Sequence, residues 1–455
     1  MPYVIGIWAA GIALAPDPCA KAIIAVPALG GAAVWWTIHR AERWLGLFFF
    51  CALLLPPLPA PFGNAGVHIA PLLALLGMFC GVLRMPEWRP WRNVLPIVFC
   101  LFLAVITEST AFAALYNGWS IAAGSAARAA LFGIGVYIFL YTYCGPRDWD
   151  ADALRFARFL FFAGAASALF ACVDFYFQFP APAGYGAQFI WVDQDVLRRA
   201  QGLFYEASTL GNFCVFFLVM VLVSFFRPRN ERPCSLPALA ICGGLFGAAL
   251  IFSYSRSSLF ALAVSMCAFL FIRGVRLSRG AITGLVLSLA AAAVVARIAL
   301  PALAEHYWTR LTISLRSVVS SPNIVLSGRI DSWVETAGFL FQRPWHVFFG
   351  IGYKTLPYLN QNSSPLIADN TYLSLLVETG VAGLAVFGVL NLAILRTSLR
   401  AARSANARAS FFGNWIFCFW CGEMVQMLSG DLITFWRVLP LYLWVLGTAE
   451  RESGQ

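Results

Sequence analysis

The sequence predicts an all-α polytopic membrane protein, and its composition and its pattern of apolar runs both lead there. Of its 455 residues, 60% are apolar and only 11% are charged, and the mean hydropathy is +0.77. A soluble domain carries about a quarter charged residues. The deficit is expected where side chains face lipid, because a charge in that environment is costly. Apolar runs also alternate with short polar breaks along the chain, as repeated membrane crossings require.

Each crossing by a helix needs roughly 20 predominantly apolar residues. The candidate spans, by residue number, are 3–16, 20–37, 44–60, 66–84, 93–110, 120–144, 154–177, 207–226, 235–254, 256–273, 279–300, 367–395, 409–428 and 432–448. The first is short, and the stretch 235–273 can be divided differently. We therefore expect about 12–14 transmembrane helices.

Arginine placement predicts the orientation of these spans. The short loops that follow even-numbered spans are rich in arginine, and their members are Arg40, Arg43, Arg84, Arg89, Arg92, Arg147, Arg155, Arg158, Arg227, Arg229, Arg232, Arg273, Arg276, Arg279, Arg396, Arg400, Arg403, Arg408 and Arg451. Basic loops remain in the cytoplasm, so both termini are expected there. The net charge of +10 is thus explained by topology. The arginines are too scattered for a stripe that binds nucleic acid.

On this topology the chain divides into five segments. They are an N-terminal transmembrane scaffold (1–176), an outer loop (177–206), transmembrane helices with an outer hairpin at Arg256 (207–300), a large outer loop (301–366) and C-terminal transmembrane helices (367–455). The large loop precedes the twelfth span and is expected to be partly helical.

Two helices are predicted in or next to the large loop. The first has apolar residues at helical spacing and lies at the membrane interface, with Arg310 and Arg316 on its other face. Its apolar positions are Leu303, Tyr307, Trp308, Leu311, Leu315 and Val318. The second begins at Ser327, which can cap it, and ends at Pro344. Its expected buried positions are Ile330, Trp333, Val334, Ala337 and Phe341.

Arginines on the outer side oppose the charge bias and need another reason. Arg198 and Arg199 precede a span, Arg256 lies in a serine-rich hairpin, and Arg329 begins the second loop helix. Guanidinium groups from separate loops can bind a phosphate or pyrophosphate bidentately. The alternative is that they extend to the membrane interface or pair with nearby carboxylates.

Three residues are candidates for a general base on the outer side. Asp369 directly precedes the twelfth span and can accept a proton from an acceptor hydroxyl. It can instead cap the helix that follows. Glu206 is expected to orient Arg199 or to bind sugar. His346, next to Trp345 and an apolar run, is either a packed side chain or part of the site.

Several motifs that would indicate other chemistry are absent from the sequence. It contains no Walker loop, no HExxH or GxSxG motif, no metal cluster and no DxD-type carboxylate pair. A nucleotide-sugar enzyme with a bound divalent ion is not indicated. We expect no cofactor and no metal.

A series of short motifs in residues 190–395 resembles the O-antigen ligase and O-antigen polymerase superfamily of bacterial envelope glycosyltransferases. The matching pieces are Arg199–Glu206, Ser255–Ser257, Ser327–Arg329 with Trp333, Gly350–Tyr353, Asp369–Leu373 and Glu378–Gly380. The order of these motifs and their shared side of the membrane carry the resemblance. The N-terminal spans match the family only in hydropathy.

The resemblance implies a metal-independent glycan transfer at the periplasmic face of the inner membrane. The donor would be a glycan on undecaprenyl pyrophosphate, and the acceptor another glycan or lipid-linked glycan. Residues that match Arg199 and Arg256 would hold the pyrophosphate, and Asp369 would be the base. The remaining candidates for substrate binding are Arg198, Glu206, Arg329, Tyr372 and His346. Chain-length regulators or flippases would be further partners.

One position separates this chain from the ligase pattern. Ligases carry His-Asn-x-x-Leu where this sequence has Asp369-Asn370-Thr-Tyr-Leu. The difference favours a polymerase of O-antigen or exopolysaccharide repeat units over a ligase that uses lipid A-core or another acceptor. A transporter or lipid flippase is a third hypothesis. It would place ionisable residues at the membrane midplane, whereas the polar residues here gather on the outer side.

Overall fold

The computed structural model describes most of the chain. The described residues are 2–17, 20–21, 24, 31–32, 35–37, 41–58, 68–91, 93–145, 153–180, 186–192, 195–274, 294, 297–298, 301–320, 323, 328–342, 344–358 and 368–454. The predicted spans 20–37 and 279–300 lie largely outside these ranges, as does the predicted cap Ser327.

The described chain is almost entirely helical. The α-helices are α1 (Pro2–Leu14), α2 (Ala41–Leu54), α3 (Ala70–Leu83), α4 (Leu95–Asn117), α5 (Trp119–Cys144), α6 (Ala153–Phe177), α7 (Ala207–Phe225), α8 (Leu236–Phe252), α9 (Arg256–Arg273), α10 (Pro301–Ser320), α11 (Arg329–Gln342), α12 (Pro344–Phe349), α13 (Thr371–Ala402), α14 (Ala407–Gln426) and α15 (Leu439–Ser453). Short 3₁₀ turns lie at Met85–Glu87, Arg229–Glu231, Leu356–Tyr358, Met427–Ser429 and Leu432–Thr434. One strand pair, β1 (Phe189–Val192) and β2 (Asp195–Arg198), completes the described elements.

The predicted fold class is confirmed: the protein is an all-α polytopic membrane protein. Six of the described helices, α4, α5, α6, α7, α9 and α13, are long and apolar enough to cross a membrane. Shorter apolar helices occur within α2, at α3 and at α8. The two halves of the stretch 235–273 are separate helices, because the chain reverses at Ser253–Ser255, where Tyr254 adopts a φ of 50°.

The last predicted span differs most from the observed helix. Residues 432–434 form a 3₁₀ turn, and α15 begins only at Leu439, with Pro440 in its first turn. Every residue of α15 from Leu439 to Glu452 is buried. The helix packs against α5 and α14 at the centre of the bundle. Aromatic contacts fix it there, with the Tyr442 ring 4.4 Å from that of Phe419.

Small residues bring α9 close to its two neighbours. A Cβ at Gly211 in α7 would lie 2.6 Å from Ser258 Oγ, and one at Gly422 in α14 would lie 2.3 Å from the carbonyl oxygen of Ala261. The close approach allows a buried hydrogen-bond network between these helices. Its members are Asn212, Glu423, Gln426, Ser258 and Tyr442. Polar groups inside a bundle are tolerated when they find partners of this kind.

Helix α13 is broken at Gly380, which has a φ of 70° and a ψ of −174°. The break releases backbone carbonyls on its N-terminal side from their helical partners. Residues 350–353, here called the glycine turn, supply new donors to these carbonyls. Ile351 N–H donates to the Val377 carbonyl at 3.1 Å, and Gly352 N–H donates to the Glu378 carbonyl at 3.0 Å. The family motifs around Gly350 and Gly380 therefore form one structural joint.

The loop 177–206 contains a β-hairpin, which the sequence analysis did not predict. Strands β1 and β2 pair antiparallel, with Phe189 opposite Arg198 and Val192 opposite Asp195. Each strand is only four residues long, and no alternating pattern extends beyond it. The hairpin lies next to the N-terminal end of α7, because Ala207 N–H donates to Gln188 Oε1 at 2.9 Å.

The two loop helices are observed, but their faces differ from the prediction. In α10, Trp308 and Leu311 are exposed, which suits a membrane interface. Tyr307, predicted to belong to the same stripe, turns inward instead, where its hydroxyl donates to the Ile251 carbonyl at 2.5 Å. In α11, Leu340 is buried, whereas Val334 is 66% exposed. Helical periodicity predicted where both helices lie in the sequence, but it did not predict correctly which side of each helix is buried.

We expect Gly380→Ala to destabilise the protein. A Cβ at Gly380 would lie 2.2 Å from the Phe348 carbonyl oxygen, and its positive φ disfavours any side chain. Strain of this kind costs on the order of 1–3 kcal/mol. Thermal unfolding in detergent measures the loss. Gly388→Ala in the same helix is the matched control, because nothing lies within 4 Å of its Cβ position. If the two variants unfold at the same temperature, the structural joint does not require a glycine at position 380.

Candidate functional site

Arg199 is held where the β-hairpin meets the α8–α9 turn. Its backbone N–H donates to the Gln188 carbonyl at 2.8 Å, and the next N–H, of Ala200, donates to the Phe252 carbonyl at 2.9 Å. Its Nε–H donates to the Ser253 carbonyl at 2.8 Å. The guanidinium is half-buried. The rest of its N–H groups can face a ligand, because a guanidinium carries five donors in one plane.

Arg256 is the first residue of α9, directly after the cap. The Ser255 side chain accepts a hydrogen bond from Ser258 N–H, which satisfies an N–H at the start of the helix. Ser258 Oγ in turn accepts from Gln426 Nε2 at 3.0 Å. The buried network of α7, α9 and α14 therefore fixes the turn that presents Arg256. The helix N-terminus adds a partial positive charge beside this half-buried arginine.

Arg310 lies beside the same turn and comes from the large loop. The Tyr307 ring stacks on the Tyr254 ring, with centroids 5.1 Å apart and an interplanar angle of 12°. One helical turn further along α10, Arg310 Nη1 donates to the Tyr254 carbonyl at 3.5 Å. These two contacts dock α10 against the α8–α9 turn. They bring a third guanidinium to the site.

Arg329 and Asp369 form an ion pair, with 3.5 Å between Nε and Oδ2. Both side chains are partly exposed, at 27% and 49%. The helix cap is Asn370, whose side chain accepts from Tyr372 N–H at 3.0 Å and from Leu373 N–H at 3.1 Å. Asp369 itself adopts a left-handed φ of 43°. The capping alternative therefore belongs to Asn370, and the Asp369 carboxylate points to Arg329.

We call Arg199, Arg256, Arg310 and Arg329 the arginine cluster, because they interact electrostatically although they come from four separate elements. Arg310 and Arg329 act on both Arg199 and Arg256. Burial, together with Arg310, lowers the pKa of Arg199 to about 10. Burial also lowers the pKa of Arg310. Unliganded, these like charges repel one another, so the cluster is suited to an anion that carries several negative charges.

Carboxylates border the cluster on one side. Burial raises the pKa of Glu206, and the nearby carboxylates of Asp369 and Asp431 raise it further, while a hydrogen bond from Ser208 and the charge of Arg199 act in the opposite direction. Ser208 Oγ donates to Glu206 Oε2 at 2.8 Å. Glu206 thus interacts electrostatically both with an arginine of the cluster and with the other acidic residues.

A buried lysine stands behind these carboxylates. Lys354 pairs with Asp431 and lies 3.8 Å from Glu378 Oε2. Burial alone would lower the pKa of Lys354, but the two carboxylates raise it above its usual value. Its carbonyl accepts from Arg128 Nη1 at 3.0 Å. Lys354 therefore connects the glycine turn to α5, to α13 and to Asp431, which precedes α15.

Three candidates from the sequence analysis lie in packing contacts. Arg198 pairs with Asp174 at 3.2 Å and also donates to the Phe179 carbonyl at 2.7 Å. The Tyr372 hydroxyl donates to the Met424 carbonyl at 3.0 Å. The buried His346 ring lies 5.1 Å from the Tyr116 ring. Their roles in substrate binding stay predictions.

Arg310 is not among the site residues predicted from the sequence. Its position on the polar face of a predicted interfacial helix accounts for its charge without a ligand. The aromatic pair of Tyr254 and Tyr307 gave no signal, because the two rings are 53 positions apart in the chain and meet only in the fold. Across the ranges that the structure describes, no three His, Cys, Asp or Glu side chains are grouped to hold a metal ion.

The comparison with protein families supports the resemblance. The family described as O-Antigen ligase matches residues 241–388. This segment contains Arg256, Arg310, Arg329 and Asp369, whereas Arg199 precedes it. No curated protein matches the chain. The predicted resemblance to the O-antigen ligase and polymerase superfamily is confirmed, and it indicates a glycosyltransferase-type enzyme in a multi-pass membrane protein.

We expect Arg310→Gln to separate stability from anion binding. Without a ligand the variant should unfold at the wild-type temperature or above it, because repulsion within the cluster falls. The rise in unfolding temperature on adding inorganic pyrophosphate should shrink, with binding weaker by about tenfold for one lost charge-assisted contact. Arg316→Gln on the same helix is the control and should leave binding unchanged. If Arg310→Gln unfolds at a lower temperature than the wild type but is stabilised by pyrophosphate to the same extent, Arg310 does not take part in anion binding.

Proposed function

We propose that the protein is a metal-independent glycosyltransferase that polymerises glycan repeat units carried on undecaprenyl pyrophosphate. The observation that carries the proposal is the convergence of four arginines on a border of carboxylates. Positive charge on this scale suits a diphosphate, and a carboxylate beside it can accept a proton. The family match supports the reaction class. The arginine-rich short loops support a periplasm-facing site in a bacterial inner membrane, with both termini in the cytoplasm.

The arginine cluster binds the donor's diphosphate in this proposal. Arg199 and Arg256 come from elements fixed by buried hydrogen bonds, so they form the rigid part of the cradle. Arg310 and Arg329 belong to helices of the large loop. A bound diphosphate removes the repulsion among all four and draws the loop helices against the core.

Asp369 is the general base. The acceptor hydroxyl attacks the anomeric carbon of the donor sugar, and its proton passes to the Asp369 carboxylate. The bond between that carbon and the pyrophosphate oxygen breaks, and undecaprenyl pyrophosphate leaves with the bonding electron pair. In the unliganded protein Arg329 holds Asp369. The incoming diphosphate competes for Arg329, which frees the carboxylate to accept the proton.

Preorganised charge at the leaving group supplies much of the catalysis. Negative charge grows on the pyrophosphate oxygen as the bond breaks, and fixed guanidinium donors stabilise it without reorganisation. Glu206, whose pKa is raised mainly by burial, interacts electrostatically with Arg199. It can also bind a sugar hydroxyl.

A ligase is the second candidate, because the matching family is described as O-Antigen ligase. The donor site would be the same, and the two activities differ only in the acceptor. The acidic residue at position 369, where ligases carry histidine, favours the polymerase. The test is to supply purified protein with undecaprenyl-pyrophosphate repeat units alone. A ladder of products without added metal or nucleotide supports the polymerase. Transfer only after lipid A-core is added would establish the ligase instead.

Asp369→Asn should lower the rate of transfer by about 10²–10⁴-fold, the usual contribution of a general base. Donor binding should stay equal or become tighter, because the arginines hold the diphosphate and the variant lacks the carboxylate that competes for Arg329. Rate and donor affinity are measured separately with purified protein and lipid-linked donor. Asp331→Asn in the neighbouring helix α11 is the control. Full activity of Asp369→Asn would exclude this residue as the base and leave Glu206 and His346 as the candidates.

Arg199→Ala and Arg256→Ala should each abolish transfer, with losses of about 10²–10³-fold or more, because each removes a donor to the leaving group. Protein yield and elution in detergent should stay at the wild-type level. Arg316→Ala, exposed on α10, serves as the control for loss of one positive charge. Activity that survives both substitutions would show that the site lies elsewhere.

A further inference from the structure

A second basic site lies at the other end of the helix bundle from the arginine cluster. Helices α7 and α9 begin beside the cluster, at Glu206 and Arg256, and run away from it. Their far ends, at Phe225 and Arg273, meet the end of α13 and the beginning of α14. An open pocket of about 480 Å³ lies between these ends.

Positive charge dominates the lining of this pocket. Its side chains include three arginines, Arg227, Arg273 and Arg403, and a single carboxylate, Glu231. Arg227 and Arg273 interact electrostatically as like charges. An anion between them would remove this repulsion.

Arg227 is oriented into the site by two contacts. Its Nη2 donates to Ser410 Oγ at 2.6 Å, and its Nη1 lies 3.3 Å from Glu231 Oε2. Its Nε is buried and has no hydrogen-bond partner among the residues that the structure describes. Because a guanidinium carries five donors, Nη1 and Nη2 each keep one further N–H that can donate to an acceptor oxygen in the pocket.

Arg273 is held by its hydrocarbon and aromatic surroundings. Its Nη2 donates to the Phe226 carbonyl at 3.1 Å, and the guanidinium lies 5.2 Å from the Phe226 ring and 5.4 Å from the Phe269 ring. Arg403 is exposed at the end of α13. The pocket therefore has one half-buried arginine and two exposed ones.

Large apolar side chains stand exposed around the pocket. Phe225, Phe226 and Phe271 are 45%, 57% and 73% exposed. In a membrane protein such side chains face lipid. A basic pocket with an apolar rim, at the ends of membrane helices, matches the headgroup and the upper acyl chains of a phospholipid.

We propose that this pocket binds the phosphate of an anionic phospholipid. Arg227, Arg273 and Arg403 contact the phosphate oxygens, and the acyl chains lie along Phe226 and Phe271. The ligand's chemistry is a phosphate with a net negative charge. The apolar rim favours the lipid headgroup over free phosphate as its source.

The experiment measures lipid bound to the purified full chain in detergent by native mass spectrometry. The added ligands are phosphatidylglycerol, phosphatidylethanolamine and inorganic phosphate. We expect phosphatidylglycerol to bind most tightly. Arg273→Gln and Arg403→Gln should each weaken its binding about fivefold, and the double variant more. Arg229→Gln is the matched control, because Arg229 lies in the same turn but does not line the pocket.

Each other outcome overturns the proposal. If the double variant, folded as judged by wild-type elution and unfolding temperature, keeps wild-type lipid binding, the pocket is not the site. If Arg229→Gln weakens binding equally, only the overall charge of this end attracts the lipid. Equal binding of phosphatidylethanolamine would show that negative headgroup charge is not recognised. If equimolar inorganic phosphate displaces the lipid, the site is one for free phosphate.

Discussion

The structure depends on the break in α13 at Gly380. A continuous helix would use the carbonyls of Val377 and Glu378 internally. The break gives them to the glycine turn of Ile351 and Gly352, and Ser109 of α4 also donates to the Glu378 carbonyl at 2.8 Å. One backbone irregularity thus ties the large loop to the transmembrane helices. An unmade backbone hydrogen bond inside a bundle is costly, so this exchange of partners is strongly specified.

Further hydrogen bonds near the start of α13 hold the candidate site together. Helix α11 contacts residue 368 through the Trp333 Nε1–H, which donates to the Ala368 carbonyl at 2.7 Å. The contact sets Arg329 beside Asp369 at the start of α13. Further along the chain Thr371 Oγ1 donates to the Gly430 carbonyl at 2.7 Å, which places Asp431 near the same carboxylates. Hydrogen bonds from side chains to backbone carbonyls therefore hold these charged groups near one another.

The arginine cluster stores electrostatic repulsion that a ligand can release. Arg199 and Arg256 lie on elements that are held by the buried hydrogen-bond network around Glu423. The other two arginines come from helices of the large loop, which the Tyr254–Tyr307 stack docks against the bundle. At the opposite end of the bundle, arginines also line a pocket, which lies beside exposed aromatic rings. In both places the protein gathers like charges where an anion can bind, and polar contacts hold several of the guanidinium groups in position.

The sequence by itself determined the fold class and predicted candidate residues for the site. Low charge and long apolar runs identify membrane helices because lipid excludes charged side chains, and outward arginines stand out because they oppose the topological bias. The same reasoning predicts Arg199, Arg256, Arg329 and Asp369 as site residues, and their roles stay predictions. Only the tertiary structure decided how these residues are arranged. Arg310 joins the cluster through a stacked tyrosine pair distant in sequence, Asn370 takes the cap that Asp369 could have made, and the hairpin of β1 and β2 is too short to leave a periodic signal. Such features rest on contacts between distant segments, and local periodicity carries no information about them.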